Sequence, residues 1–193
     1  MQSVHSNARG EKGDMGIRKK EEDCRMRLRE LRFDDAPLML EWMHDPSVVA
    51  NLKARFADKT LEDCHRFILS SREGGSDVHF AIADEADDTY LGTVSLKHVT
   101  GKTAEFAITI RKSAMGTGVS RDAMRAILDY GFERLGLERI FWCVSPENAR
   151  AVRFYDKQGY PRSELPEEAE GYSEEEARSY IWYTVPNPHG AQG

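Results

Sequence analysis

Apolar and polar residues alternate with a period of two through the middle of the chain, which is the spacing of a β-strand with one buried face. The clearest alternation falls in three segments, 78–83, 90–97 and 103–110. An acidic stretch at 84–88 and a Gly-Lys pair at 101–102 separate them. Because connections this short join antiparallel neighbours, the pattern predicts an antiparallel meander.

Other segments predict elements on both sides of this meander. Residues 26–33 alternate imperfectly and predict a strand near a sheet edge, and two later strands are predicted at 139–144 and 179–185. Apolar residues at helical spacing predict helices that begin at Asp34 or Asp35 and others that span 60–71, 119–135, 149–158 and 173–178.

Two of these helices carry clear end signals. Thr60 followed by Asp63 predicts an N-cap for the 60–71 helix, which is expected to bury Leu61, Cys64, Phe67 and Ile68. The 119–135 helix is expected to end at Gly136 and to bury one stripe made of Val119, Ala123, Ile127, Leu128, Phe132 and Leu135.

The segment 107–123 predicts a strand, a turn and a helix start in immediate succession. Gly116 and Gly118 lie in the turn, where the lack of a Cβ lets the backbone approach an anion. The first N–H groups of the following helix have no partner inside it and carry the positive end of its dipole. We therefore expect the glycine turn, residues 115–120, to bind phosphate, although two glycines alone also fit an ordinary tight turn.

The strands 103–110 and 139–144, with the helix between them, form a βαβ crossover. Strands joined in this way run parallel, and a ligand is expected at their carboxyl ends. The glycine turn follows the first of these strands directly. The sequence thus predicts the binding site at this edge of the sheet.

The chain after this crossover adds a second motif. Asn148 opens a predicted helix that contains Tyr155 and ends at Gly159-Tyr160. Together with the glycine turn, this order resembles the GCN5-related N-acetyltransferase (GNAT) superfamily, most closely its branch of ribosomal-protein N-terminal and polyamine acetyltransferases. The resemblance is clearest over residues 104–160.

The family's first motif opens with Gln or Arg and closes with Gly or Ala. Here those positions hold Met115 and Ser120. Because the site works through main-chain N–H groups, neither side chain blocks it.

The resemblance implies an α/β (α+β) fold with a mixed, mostly antiparallel central sheet of about seven strands flanked by helices. It also implies that the two crossover strands splay apart after a bulge, and that acetyl-CoA, the co-substrate, lies between them. The coenzyme-binding residues implied in this way are Ile108, Thr109, Ile110, Met115, Gly116, Thr117, Gly118, Val119, Ser120, Arg121 and Asn148.

Acetyl transfer to an amine needs a base for the amine, stabilisation of the thioester oxygen, and an acid for the leaving thiolate. The resemblance implies Tyr155 as the acid and a backbone N–H near Ile110 for the oxygen. Glu105 is the expected base, since it lies on the strand before the glycine turn among apolar residues. The alternatives stay open: Glu105 as a solvent-facing carboxylate, Tyr155 as a core residue, and Asn148 as a helix N-cap.

Three other side chains are weaker candidates. His79 and His98 lie on neighbouring strands and are reserve bases. Cys143 is expected to be a buried apolar residue, since no histidine near it in sequence would activate a thiolate, and direct transfer is preferred over an acyl-enzyme. The acidic segment 164–176 and the first-helix acids Asp34, Asp35 and Glu41 could attract a basic acceptor or form a solvated face.

Composition narrows the picture further. The chain of 193 residues, with a net charge of −6, is sized for one domain and lacks the basic excess of a nucleic-acid-binding protein. Its three cysteines are widely spaced and suggest neither a disulfide framework nor a metal site. No apolar run would span a bilayer or form a signal sequence, so we expect a cytoplasmic protein without a membrane partner. The negative net charge leads us to expect no nucleic-acid partner.

We expect a flexible leader at 1–24, a single acetyltransferase domain at 25–186 and a loose tail at 187–193. The predicted activity is direct acetyl transfer from acetyl-CoA to a primary amine of a small molecule or peptide, such as a protein N-terminus, a polyamine or an amino sugar. A noncatalytic acyl-CoA-binding module is the alternative, and a dinucleotide-binding protein is a distant third. A homodimer is compatible with the sequence.

Overall fold

The computed structural model describes residues 25–52 and 54–190. Its sheet has the strand order β1-β2-β3-β4-β5-β7-β6, in which β4 and β5 run parallel and all other neighbours antiparallel. The strands are β1 (Met26–Arg29), β2 (Val78–Asp84), β3 (Tyr90–Lys97), β4 (Thr103–Ile110), β5 (Arg139–Val144), β6 (Arg162–Ser163) and β7 (Ile181–Pro186).

Within the described residues, six α-helices flank this sheet, with short 3₁₀ turns at Phe33–Asp35 and Lys112–Ala114. The α-helices are α1 (Ala36–Met43), α2 (Pro46–Val49), α3 (Leu61–Ser70), α4 (Val119–Glu133), α5 (Ala149–Lys157) and α6 (Glu174–Ser179). The predicted cap of α3 is confirmed, because the Thr60 side chain accepts a bond from the Asp63 N–H and the Asp63 carboxylate accepts one from the Thr60 N–H.

Helices α4 and α5 cover one face of the sheet. Their apolar residues pack with alternate residues of the strands, including Phe106 of β4 and Trp142 of β5, in the main core. The opposite face has two separate coverings. Helices α1 and α3 form a second core near β2, while α6 packs on Phe141 and Trp182 near β5 and β7.

The fold class and the parallel pairing of β4 with β5 are confirmed. Strands β3, β4 and β5 have the predicted bounds, since each is long and strongly alternating. The first strand is shorter than predicted, because the chain after Arg29 turns at Asp35, whose carboxylate accepts bonds from the Arg32 N–H at 2.8 Å and from the Arg29 guanidinium. The burial predicted for Leu61 was wrong, because its side chain lies at the outer end of α3 and is 41% exposed.

The predicted bulge before the splay was also wrong for β4. Its register with β3 runs without interruption from Glu105 to Ile110. The register shift lies instead between β2 and β3, where Leu91 is the extra residue between Tyr90 and Gly92. Tyr90 therefore joins the core under α1 and α3, whereas Val94 of the same strand joins the core under α4.

The chain ends complete the description. The predicted leader, 1–24, lies outside the described residues, as do residues 191–193. Residues 187–190 of the predicted tail form a turn in which the Asn187 N–H donates to the Glu138 carbonyl at 2.7 Å and the Asn187 side chain donates to the Leu137 carbonyl at 2.9 Å.

Gly92 permits a close approach of β3 to β4. A Cβ at this position would lie 2.3 Å from the Thr109 carbonyl oxygen and 3.1 Å from the Ile110 Cα, and backbone atoms cannot move aside cheaply. We expect Gly92→Ala to lower the free energy of unfolding by about 2 kcal/mol or more, as overpacking of a core does. Urea denaturation measures the change.

Gly101→Ala is the matched control, since a Cβ there meets nothing within 4 Å. Its expected effect is within about 0.5 kcal/mol, the range of ordinary surface changes. Equal stability of the two variants would contradict the close approach of these strands.

Candidate active site

The glycine turn adopts the backbone geometry that its residues require. Gly116 and Gly118 have φ values of +83° and +96°, in the left-handed region that L side chains rarely adopt. Gly118 is the residue before α4 and has no side chain to cap the helix. The first-turn N–H groups of α4 thus remain at an uncapped, electropositive helix start, as expected for an anion site.

The side chains of the turn are tied back to the protein. The Thr117 hydroxyl donates to the Ala114 carbonyl at 2.7 Å. The Met115 sulfur lies 3.0 Å from a guanidinium nitrogen of Arg150 on α5. Met115 therefore connects the glycine turn to the helix that carries Tyr155.

Strands β4 and β5 separate where the predicted site lies. Their parallel pairing runs only from Thr103 with Arg139 to Glu105 with Phe141. Beyond that pair, β4 stays paired with β3 up to Ile110, and β5 stays paired with β7 up to Val144. The carboxyl halves of the two strands are thus not hydrogen-bonded to each other, and we call the gap between their unpaired edges the cleft.

The implied coenzyme residues of β4 follow this point of separation. Ile108 and Thr109 are half-buried and Ile110 is buried. Val119, Ser120 and Arg121 form the first turn of α4, where Val119 is buried and the other two are half-buried. The structure thus brings the implied residues of β4 and of the glycine turn to one edge of the sheet.

Helix α5 places Asn148 and Tyr155 on the α4 side of the sheet. The Asn148 side chain accepts a bond from the Ala151 N–H at 3.1 Å, so its N-cap role is confirmed. The Tyr155 ring is buried against Trp142 and Tyr183, with ring centroids 5.3 Å and 5.2 Å away. Burial raises the pKa of the Tyr155 hydroxyl well above its ordinary value. Within the described part of the chain, this hydroxyl has no hydrogen-bond partner.

Glu105 is buried on the opposite face of the sheet. Its residue is 7% exposed, so the alternative of a solvent-facing carboxylate was wrong. The Tyr172 hydroxyl donates to Glu105 Oε1 at 2.6 Å, and the Cys143 thiol lies 3.3 Å from the same hydroxyl. His98 Nδ1 lies 3.4 Å from Glu105 Oε2. We call these four side chains the Glu105 cluster.

Tyr172 was missed by the sequence analysis. It lies in the segment between β6 and α6, where charged residues predominate and no hydrophobic period predicts a buried side chain. Burial raises the pKa of the Tyr172 hydroxyl, and its bonds to Cys143 and Glu105 raise it further. The hydroxyl therefore stays protonated and donates to the carboxylate. The only signal in the sequence was the acidic segment around Tyr172, which indicated a region that could attract a basic acceptor.

The reserve side chains have different surroundings. His79 bonds the Ser95 hydroxyl at 2.7 Å, and burial lowers the pKa of its ring. Two of the acids predicted to attract an acceptor are already paired. Asp35 is buried against Arg29, and the exposed Glu41 forms a bidentate bond with Arg111.

Glu105 and Tyr155 lie on different faces of the sheet. Strand residues alternate between faces, and Glu105 is offset by one from Phe106, which packs in the core that contains Tyr155. A base for an incoming amine and an acid for a leaving thiolate act on opposite sides of the reacting carbonyl. The arrangement suits acyl transfer through the cleft.

The comparison with protein families gives the decisive result. The acetyltransferase (GNAT) domain family matches residues 25–161. The chain belongs to the GNAT acetyltransferase family. It is therefore an acetyl-CoA-dependent N-acetyltransferase, and the noncatalytic alternative loses its support.

Several curated relatives of this GNAT protein are also acetyltransferases. The uncharacterized N-acetyltransferase p20 of Bacillus licheniformis is 25% identical over 145 residues, which cover 73% of this chain and 82% of the relative. The spermidine N(1)-acetyltransferase of Escherichia coli K12 is 27% identical over 129 residues, covering 66% of this chain and 62% of that enzyme.

The solved structures support the same fold. The spermidine N-acetyltransferase of Vibrio cholerae, crystallised with CoA and spermine, superposes with a TM-score of 0.70 at 21% identity. The match covers 84% of this chain and 96% of that structure.

The described residues of this GNAT protein are 25–52 and 54–190. None of the helices there combines the length and apolar character that a membrane crossing requires. In the same part of the chain, no group of three or more His, Cys, Asp or Glu side chains is arranged to hold a metal ion.

The left-handed backbone at Gly118 provides a test of the coenzyme site. Gly118→Ala forces an unfavourable conformation that costs about 1–2 kcal/mol or re-aims the first turn of α4. We expect the Kd for acetyl-CoA to rise at least about tenfold, the effect of losing roughly 1.4 kcal/mol of binding energy. Calorimetric titration of the folded variant measures it.

Gly136→Ala is the matched control, because Gly136 follows the other end of α4 with φ +66°. This variant should lose similar stability and keep the wild-type Kd. If the two variants bound acetyl-CoA equally, the glycine turn would not be the phosphate site.

Proposed function

We propose that the protein transfers the acetyl group of acetyl-CoA directly to a primary amine, with Glu105 as the base and Tyr155 as the acid. One observation carries the proposal. The Glu105 carboxylate is buried where β4 and β5 separate and is held there by the Tyr172 hydroxyl at 2.6 Å. A buried carboxylate fixed beside a substrate cleft is suited to proton transfer.

The amine requires such a base. An alkyl ammonium with a pKa near 10.4 is only about 0.04% neutral at pH 7. Glu105 accepts the proton of the bound ammonium and leaves a nitrogen lone pair that attacks the acetyl carbonyl. The bond from Tyr172 fixes the carboxylate rotamer, so the accepting oxygen is already oriented when the amine arrives.

The leaving thiolate requires an acid. Tyr155 keeps its proton, because burial raises the pKa of its hydroxyl. Transfer of this proton to the leaving thiolate forms the thiol and leaves the negative charge on the Tyr155 oxygen. The Tyr155 oxygen then regains a proton from solvent, which restores the neutral hydroxyl that burial favours.

The coenzyme would be held mainly by main-chain groups. In this proposal the N–H groups of the glycine turn and of the first turn of α4 bind the phosphates, with Arg121 beside them. Main-chain groups of Ile108, Thr109 and Ile110 bind the pantetheine arm and stabilise the thioester oxygen. Asn148 caps α5 and also contacts the coenzyme. Acetyl-CoA supplies the activated acetyl group.

The acceptor is a primary amine of a small molecule or peptide. The names of two relatives, spermidine N-acetyltransferases, make polyamines the first class to assay, followed by peptide N-termini and amino sugars. The expectations of a cytoplasmic location, a homodimer and no nucleic-acid partner remain part of this proposal.

Glu105→Gln tests the base. Glutamine keeps the side-chain length and can still accept the Tyr172 bond, but it cannot take a proton from the amine. We expect kcat to fall about 100-fold or more, the range for loss of a general base, with the Kd for acetyl-CoA unchanged. Release of CoA in the presence of each amine class measures kcat.

Glu138→Gln is the control, because Glu138 forms a surface ion pair with Lys102 at 2.7 Å. It should keep wild-type activity. Wild-type turnover by Glu105→Gln with an acetylated amine would overturn the assignment of the base.

Tyr155→Phe tests the acid. Since the raised pKa keeps the hydroxyl protonated, its ionisation does not produce an alkaline loss of activity below the ordinary tyrosine pKa of about 10. We expect kcat to fall about 100-fold at every pH from 6 to 9, with the shape of the pH profile unchanged.

Tyr160→Phe is the control, because it also removes a hydroxyl from a ring that packs on Trp142. The Tyr160 and Trp142 ring centroids are 5.3 Å apart. This variant should retain most of its activity. An unchanged kcat in Tyr155→Phe would show that another group protonates the thiolate.

A further inference from the structure

His98 occupies a fixed position at the hairpin between β3 and β4. It follows Lys97 at the end of β3 and has a φ of +48°, an uncommon conformation for a residue with a side chain. Its backbone N–H donates to the Asp77 carboxylate at 2.9 Å. This bond holds the strained residue in place beside β4.

The His98 ring extends from Glu105 to the solvent. Its Nδ1 atom is buried and lies 3.4 Å from Glu105 Oε2, but the two atoms are not aligned for a hydrogen bond. Among the described residues, no other group satisfies this nitrogen. The side chain as a whole is 40% exposed. Catalytic hydrogen bonds are often long before substrate binds and shorten in the complex.

The two oxygens of Glu105 have different partners. Oε1 accepts the bond from Tyr172, whose hydroxyl keeps its proton. Oε2 faces His98. A proton taken from the amine therefore goes to Oε2, next to the unsatisfied ring nitrogen.

We infer that His98 and Glu105 act as a two-residue base, in which the proton taken up by Glu105 passes to the His98 ring. This inference rests on the proposed function. The proton leaves the ammonium nitrogen, which keeps the electron pair, and protonates Oε2. It then moves to Nδ1 of the neutral ring, and the proton on Nε2 leaves to solvent.

The gain is a route to solvent. The Glu105 side chain is 10% exposed, whereas the His98 side chain is 40% exposed and can pass the proton on to water. His98 acts through Glu105 and does not contact the amine. His98 is therefore a positioning residue, which receives the proton from Glu105 and not from the amine.

Several charged groups surround the His98 ring. Glu105 faces it from β4, Asp77 from the chain before β2, and Lys97 precedes it on β3. His79 of β2 lies 3.9 Å from the same Asp77 carboxylate.

His98→Asn is the first test, because asparagine tolerates the left-handed backbone at this position. In a buffer without small bases, we expect kcat to fall about 100-fold, with the Kd for acetyl-CoA unchanged. Added imidazole should restore the rate in proportion to its concentration, because it replaces the missing proton acceptor. Imidazole should leave the wild-type rate unchanged.

His79→Asn is the matched control, since His79 bonds Ser95 and not Glu105. Any loss in this variant should not respond to imidazole. A wild-type rate in His98→Asn, or a loss that imidazole does not restore, would overturn the two-residue base.

A second measurement does not depend on turnover. NMR measurement of the ring nitrogen shifts of His98 in wild type and in Glu105→Gln reports the contact of the two groups. The Nδ1 shift should change in the variant, because this nitrogen lies 3.4 Å from a carboxylate oxygen in the wild-type protein. Unchanged shifts would refute the pairing even if no amine were acetylated, whereas changed shifts without amine turnover would place the failure in the proposed function.

Discussion

In the proposed reaction, the short parallel pairing of β4 with β5 determines where the chemistry takes place. The pairing ends at Glu105 and Phe141, yet each strand continues with its other neighbour, β3 or β7. The two strands are therefore held apart by their outer partners. Backbone groups on the inner edges of the cleft lack strand partners and require others. An extended ligand such as the pantetheine arm supplies such partners without demanding particular side chains.

The two faces of the sheet give this cleft two different environments. On one face, α4 and α5 form an aromatic core in which the ring planes of Trp142 and Tyr183 are stacked. On the other face, the coverings by α1 and α3 and by α6 are separate clusters, and Glu105 lies between them with its polar partners. In the proposed reaction, the thiol lies on the apolar side and the amine lies on the polar side.

The strongly periodic parts of the sequence predicted the structure well. The bounds of β3, β4 and β5 and the capping box of α3 follow from alternation and from Thr60 with Asp63, which are local signals. The burial predicted for Leu61 was wrong, because Leu61 is the first residue of α3. Helical spacing of apolar residues does not show whether other elements cover that end of the helix. The two-residue β6 and the four-residue α2 are too short to show a period.

The site was only partly predictable for a related reason. Glu105, Asn148 and the glycine turn lie in motifs whose spacing along the chain is informative. Tyr172 reaches Glu105 from 67 positions away, and only the folded chain brings the two together. The contact of His98 with Glu105 also depends on a left-handed residue that hydrophobic pattern does not reveal.

The small apolar cluster against which Tyr172 packs is separate from the main core, and this separation affects which substitutions the fold tolerates. Its buried core consists of Phe141, Ala177 and Trp182, with a few half-buried neighbours, and it shares none of these residues with the core under α4. Substitutions in the segment between β6 and α6 therefore leave the packing beneath the glycine turn intact. The cluster of Phe141, Ala177 and Trp182 can therefore change in sequence while the core under α4 keeps its stability and its shape.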